Sequence, residues 1–175
     1  MQIGTIRRCG PADFLSILGI INDAAAAYRG VIPEDCWHDP YMPETDLREE
    51  IAAGVDFWGS EREGELLGVM GMQPVGDVTL IRHAYVVDAC RRRGVGTSLL
   101  GYLTNRVRTP LLIGTWAAAT WAIRFYEKHG FTVVDPVLKD RLLKTYWTVP
   151  QRQIETSVVL ADGHWFSQNR SFDPR

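Results

Sequence analysis

Chemistry in this 175-residue chain concentrates around Arg91-Arg92-Arg93-Gly94-Val95-Gly96-Thr97, between a strand-like run and an apolar run of helical period. Strand, glycine turn and helix start, in that order, make an anion site in physical terms. Backbone N–H groups at a helix start point outward, and the helix dipole adds about half a positive charge. Glycines let a diphosphate come close to the backbone. The spacing is not that of the P-loop, because no Gly-Lys-Ser/Thr follows, nor that of the dinucleotide fingerprint. Read alone, so short a motif serves equally well as a tight turn. His83 lies upstream in the same strand-like run, and its side-chain type suits proton transfer near neutrality. A hydrogen-bonded core histidine is the competing reading. Cys36 and Cys90 have no base at a spacing that would make a nucleophilic thiolate.

The elements that must position these residues follow from period and punctuation. Residues 2–8 alternate enough for a short opening strand. Gly10-Pro11 puts proline at a first helical position, and Phe14, Ile17, Leu18, Ile21 and Tyr28 follow a helical period that Gly30 ends. A proline- and aromatic-rich loop from Val31 to Pro43 leads to a second helix, marked by Leu47 and Ile51 and closed by Gly54. Strands are expected over Val55–Ser60 and Leu66–Met72, about an Arg62-Glu63-Gly64 turn, and over Val78–Val87 after a turn from Pro74 to Asp77. Val95, Leu99, Leu103 and Val107 mark the helix after the glycine loop. Leu111–Trp116 reads as a buried strand, and Trp121–His129 as an amphipathic helix ended by Gly130. Phe131–Val134 reads as a short strand, the segment near Leu138–Lys144 as helix, and Ile154–Leu160 as the last strand. From Asp162 to Arg175 no period is present, and a mobile tail is expected. The class is α+β, with one domain over residues 1–161 and a tail at 162–175.

Composition sets the outer limits. Hydrophobic residues at 46% and charged residues at 23% are the proportions of a globular protein. Lys+Arg of 19 against Asp+Glu of 21 leaves a net charge of −2, which argues against a duplex nucleic-acid partner. Cys9, Cys36 and Cys90 show neither a disulfide framework nor metal-ligand spacing, so no metal is expected and reduced thiols in a cytoplasmic protein fit. No apolar run approaches the ~18 residues of a membrane span, and the first residues lack the features of a signal peptide.

Three stretches together resemble the GCN5-related N-acetyltransferase (GNAT) superfamily: Tyr85-Val86, the Arg-x-x-Gly-x-Gly loop, and Ala122-Ile123-Arg124-Phe125-Tyr126-Glu127-Lys128-His129-Gly130-Phe131. The resemblance runs from the first strand to the last and is strongest over residues 78–134. It implies an acyl-CoA N-acyltransferase fold, a twisted mixed sheet with helices on both faces that splays between the strands at 78–87 and 111–116. Acetyl-CoA would be the acetyl donor. Its pantetheine arm would meet backbone groups near Val86 and Val87, and its diphosphate the amides from Arg91 to Thr97, with Arg91, Arg92 and Arg93 neutralising phosphate. Many members carry a cofactor-contacting Asn where this chain has Ala119, which puts that one contact in doubt. A homodimer is an open expectation, because such proteins often pair.

Acetyl transfer to an amine asks that the acceptor ammonium lose a proton, that the developing oxyanion meet a fixed donor, and that the leaving thiolate gain a proton. By resemblance, a backbone N–H of the strand at 78–87 is the donor and Tyr126 protonates the sulfur. Tyr126 reads equally as a core residue of its helix. His83 is a candidate base, with Glu34 and Asp35 as competitors and a water chain as a further route. Tyr28, Trp37, Tyr85 and Trp116 are candidates for lining the substrate site. Between Val31 and Glu50, seven acids (Glu34, Asp35, Asp39, Glu44, Asp46, Glu49, Glu50) face one base, Arg48, an excess of six that would favour a cationic amine. The expected function is N-acetylation of a primary amine of a small molecule or peptide by direct attack in a ternary complex. A non-catalytic acyl-CoA sensor and an acyltransferase with another donor stay open.

Overall fold

The computed structural model describes residues 4–169. Backbone proximity groups these into two compact units, residues 4–29, 38–73 and 81–107 in one and 30–37, 74–80 and 108–169 in the other.

The first unit opens with β1 (Thr5–Arg8), shorter than the expected strand, whose Gln2 and Ile3 lie outside the described residues. A turn over Pro11–Asp13 leads into α1 (Phe14–Ala25), with the Asp13 carboxylate accepting the Gly10 amide at 2.7 Å. Proline suits that turn because the first N–H groups of a helix have no partner within it. Ile17, Ile20, Ile21 and Ala25 form the buried stripe of α1. α2 (Glu44–Ala52) buries Leu47 completely, whereas Ile51 is 39% exposed, so the second helix is anchored by Leu47 and not by both expected residues.

β2 (Asp56–Arg62) pairs antiparallel with β1 and with β3 (Glu65–Val75). Glu63 and Gly64 connect β2 to β3 with φ of 54° and 84°, the mirror-type turn whose twist matches a hairpin. β3 continues through Pro74 to Val75, beyond its expected end. The turn that follows therefore shrinks to Gly76-Asp77, with Gly76 at φ 57° supplying the left-handed residue that so tight a reversal needs. β4 (Val78–Val86) then passes from the second unit into the first. α3 (Val95–Thr104) closes the first unit, which packs Ile17, Ile21, Leu47, Val55, Phe57 and Val69 together.

In the second unit, β5 (Leu111–Trp116) and α4 (Thr120–Lys128) match expectation, and Gly130 ends the helix at φ 87°. β6 (Thr132–Val133) is followed by α5 (Pro136–Tyr146), whose first turn is satisfied by the Asp135 carboxylate accepting the amides of Val137 and Leu138, each at 3.0 Å. Two expectations fail beyond that point. Ile154 lies not in the last strand but in α6 (Gln151–Glu155), started by the Pro150 carbonyl accepting from Gln153 and Ile154; β7 begins only at Ser157 and ends at Ala161. The expected tail begins as α7 (Gly163–Gln168), capped by the Asp162 carboxylate on the Trp165 amide at 2.9 Å, with Trp165 and Phe166 both 4% exposed. A helix of six residues is too short to display a period, which is why it reads as irregular. Residues 170–175 lie outside the described residues.

Strand order is β1-β2-β3-β4-β5-β7-β6. β5–β7 and β6–β7 are antiparallel, and a helix lies between β4 and β5 in the chain. The architecture is a mixed α/β sheet with helices, as expected. Among the described residues, no helix is long and apolar enough to cross a membrane.

Candidate active site

β4 carries three of the expected site residues, and its backbone decides what they do. His83 has φ 49°, in the left-handed region that non-glycine residues seldom occupy. In a regular strand, successive side chains point to opposite faces. Here the distortion lets the adjacent Arg82 and His83 reach the same carboxylate. Arg82 Nη2 lies 3.1 Å from Glu50 Oε1, and His83 Nε2 is hydrogen-bonded to Glu50 Oε2. Arg82 also donates from Nη1 to Gln73 Oε1 at 2.9 Å, and Gln73 Nε2 donates to the Ala53 carbonyl at 3.0 Å, just past the end of α2. Burial pushes the Glu50 carboxyl up, but the His83 hydrogen bond and the charges of His83 and Arg82 outweigh it and hold the pKa below the usual carboxylate range. The His83 ring stacks on Phe57 at 5.9 Å and on Tyr85 at 6.5 Å.

The Tyr85 and Tyr28 rings lie with centroids 6.3 Å apart, and Tyr41 joins them 5.4 Å from Tyr28. Burial raises both the Tyr28 and the Tyr85 phenol, and the hydroxyls of Tyr28 and Tyr41 push Tyr85 further, so Tyr28 and Tyr85 are neutral near pH 7. Glu34 and Trp37 do not belong to that unit. They lie on and just after the 3-10 turn Glu34–Cys36, Glu34 exposed and Trp37 half-buried. The competing base Asp35 is taken up by Arg152, whose Nε stands 2.7 Å from Oδ2 and lowers the carboxyl pKa; that makes Asp35 a weaker base.

The acidic rim is corrected in the same way. Asp35 pairs with Arg152, Asp39 with Arg29, Glu44 with Arg48, and Glu50 with Arg82. Arg29, Arg82 and Arg152 lie outside the counted segment, and adding them halves the excess of six acids to three. Counting within a segment could not see cations arriving from elsewhere in the chain.

The glycine loop has the geometry its composition suggests. Asp88–Cys90 forms a 3-10 turn, Arg92 and Gly94 are left-handed at φ 60° and 85°, and Gly94 is the residue from which α3 starts. The first bond of the helical ladder runs from the Ser98 amide to the Gly94 carbonyl at 2.9 Å, so the Val95 and Gly96 amides precede it. Turns with left-handed residues gather N–H groups into anion-binding concavities. These features fit a diphosphate. Arg91 is tied to Asp88 at 3.1 Å, while Arg92 and Arg93 are exposed. The Val87 amide already donates to the Leu67 carbonyl at 3.0 Å, and its carbonyl accepts from Cys90 at 2.8 Å, so that backbone is engaged within the protein. Val86 is half-buried. Gly68, which sequence reading passed over, allows this close approach: a Cβ there would stand 2.9 Å from the Tyr85 carbonyl oxygen and 3.1 Å from Val95 Cγ1.

In the second unit, Trp116 ends β5 and is 8% exposed, and the fully buried Ala119 starts α4, its carbonyl accepting from Ala122 and Ile123. A methyl cannot supply the hydrogen bond of the family's asparagine. Tyr126 is 6% exposed, with Phe125 and Phe131 in edge-on contact at 5.1 and 6.0 Å.

Glu50 is the site residue that sequence reading missed as such. It appeared only as one acid of a run, and no local pattern links it to a histidine 33 positions away.

A sheet of this order with a glycine loop opening α3 is the acyl-CoA N-acyltransferase arrangement. The family model of the acetyltransferase (GNAT) domain matches residues 53–133. The chain is 26% identical over 110 residues to the peptidyl-lysine N-acetyltransferase YiaC of Escherichia coli K12, covering 63% of this chain and 73% of that one. Its fold resembles PaiA N-acetyltransferase from Thermoplasma acidophilum in complex with coenzyme A (TM-score 0.68, 16% identity, 93% of this chain and 99% of that one). It also resembles a GNAT-family acetyltransferase from Staphylococcus aureus Mu50 (TM-score 0.68, 14% identity, 92% and 98%). Residues 53–133 thus carry the match to the GNAT acetyltransferase domain, and the fold is that of GNAT acetyltransferases. These likenesses support an acetyl-CoA-dependent N-acetyltransferase.

Proposed function

We propose that this enzyme acetylates the primary amine of a lysine side chain in a peptide or protein, by direct attack of the amine on the thioester. Support for the acceptor comes from the peptidyl-lysine relative and from the three acids left in excess along residues 31–50. The observation that carries the donor side is the left-handed Arg92/Gly94 turn opening a ten-residue helix. In this reading, amides from Arg92 to Thr97 bind the diphosphate. His83 takes the proton that the acceptor ammonium must lose, and the Tyr126 hydroxyl supplies the proton that the departing sulfur gains. The acceptor nitrogen bonds to the acetyl carbon as the carbon–sulfur bond breaks, the electron pair of that bond stays with sulfur, and the second proton released by the nitrogen restores the Tyr126 hydroxyl.

Thiol release with an amine panel tests the acceptor. A lysine-containing peptide with a blocked N-terminus should be acetylated at least tenfold faster, by kcat/KM, than a lysine-free peptide with a free N-terminus or an acidic amino acid. Equal or faster turnover of either alternative would overturn the lysine reading.

A further inference from the structure

We propose that Glu50 is a positioning residue for catalysis: from α2 it holds Nε2 of His83, so that Nδ1 is the nitrogen that receives the acceptor's proton. The inference rests on the reading of His83 as the base and adds the residue that aims it. A carboxylate only accepts hydrogen bonds, so its partner Nε2 carries the hydrogen and the neutral ring is left with Nδ1 as its acceptor.

The surroundings hold that arrangement from four elements. α2 supplies Glu50, whose depressed pKa keeps it a carboxylate at neutral pH. Arg82, on the same strand as His83, binds the other Glu50 oxygen, and Gln73 of β3 ties Arg82 to the Ala53 carbonyl next to α2. The Phe57 ring of β2 and the Tyr85 ring of β4 flank the imidazole. Glu50 and Arg82 are thus the charged groups facing His83, and Tyr85 is a neutral phenol. The His83 side chain is 13% exposed and so is not sealed from solvent. A left-handed backbone at a histidine is retained where the fold over-determines it, and such residues cluster at functional sites. The proton leaves the acceptor ammonium for Nδ1, the neutral amine bonds to the acetyl carbon as the carbon–sulfur bond breaks, the thiol departs with the equivalent of the nitrogen's second proton, and the imidazolium returns the first to solvent.

Glu50→Gln keeps the shape and removes the charge. Its kcat should fall at least tenfold with KM for acetyl-CoA unchanged within twofold. His83→Ala should be inactive and partly rescued by added imidazole, and Glu50→Gln should cost nothing more in that background. Nitrogen-detected NMR of the wild-type protein gives a readout independent of activity, in which the neutral His83 ring should carry its hydrogen on Nε2. Full activity of folded His83→Ala would remove the base reading itself. An inactive but rescuable His83→Ala combined with an unchanged kcat in Glu50→Gln would overturn the Glu50 proposal alone. So would a ring hydrogen found on Nδ1 in the wild type.

Discussion

Tyr126 carries two readings because its ring and its hydroxyl have separate jobs. Its ring packs edge-on against Phe125 and Phe131 and is almost fully buried, which accounts for an aromatic at that position without any chemistry. The hydroxyl is what acid catalysis would use. Tyr126→Phe keeps the packing, so the thermal midpoint should stay within a few degrees while kcat falls by about 10²–10⁴-fold. Full turnover in the folded variant, with chemistry limiting the rate, would make Tyr126 a core residue only. His83 shows what residue types alone conceal. Its type marked it as a proton carrier, but its partner depended on one left-handed φ that brings it and Arg82 to one carboxylate. Asp35 shows the reverse: a plausible base by type, it is spent on Arg152.

Elements with full-length periodicity or strong punctuation were legible before any coordinates. α1, the Glu63-Gly64 hairpin, β5 and α4 lie within a few residues of expectation, because each repeats its buried positions or ends on a left-handed glycine. Short helices were not. α6 takes Ile154 away from β7, and α7 turns the start of an apparent tail into core, with only Trp165 and Phe166 to signal it. That assignment has a direct consequence for stability. Trp165→Ala should destabilise the protein by about 3–5 kcal/mol, as expected for a large aromatic removed from a packed site. Urea unfolding reads this as a lower midpoint with a similar slope; a loss below about 1 kcal/mol would mean that α7 contributes little to the core.

For the chain overall, the fold and the expected donor followed from the resemblance carried by the glycine loop and the Phe-Tyr-Glu-Lys segment. The acceptor did not, because its recognition depends on which charges meet across the fold. Arginines from outside the acidic run halve its charge, so local counting overstated the attraction for a cation. The donor site is the firmer ground, since it depends on backbone geometry more than on side-chain identity. There, we propose, amides at the start of α3 hold the diphosphate of acetyl-CoA. Calorimetric titration of acetyl-CoA into folded Gly96→Val measures it most directly. The branched side chain crowds the backbone approach, and affinity should fall at least tenfold relative to the wild type, about 1.4 kcal/mol. An unchanged affinity would contradict the assignment of this loop.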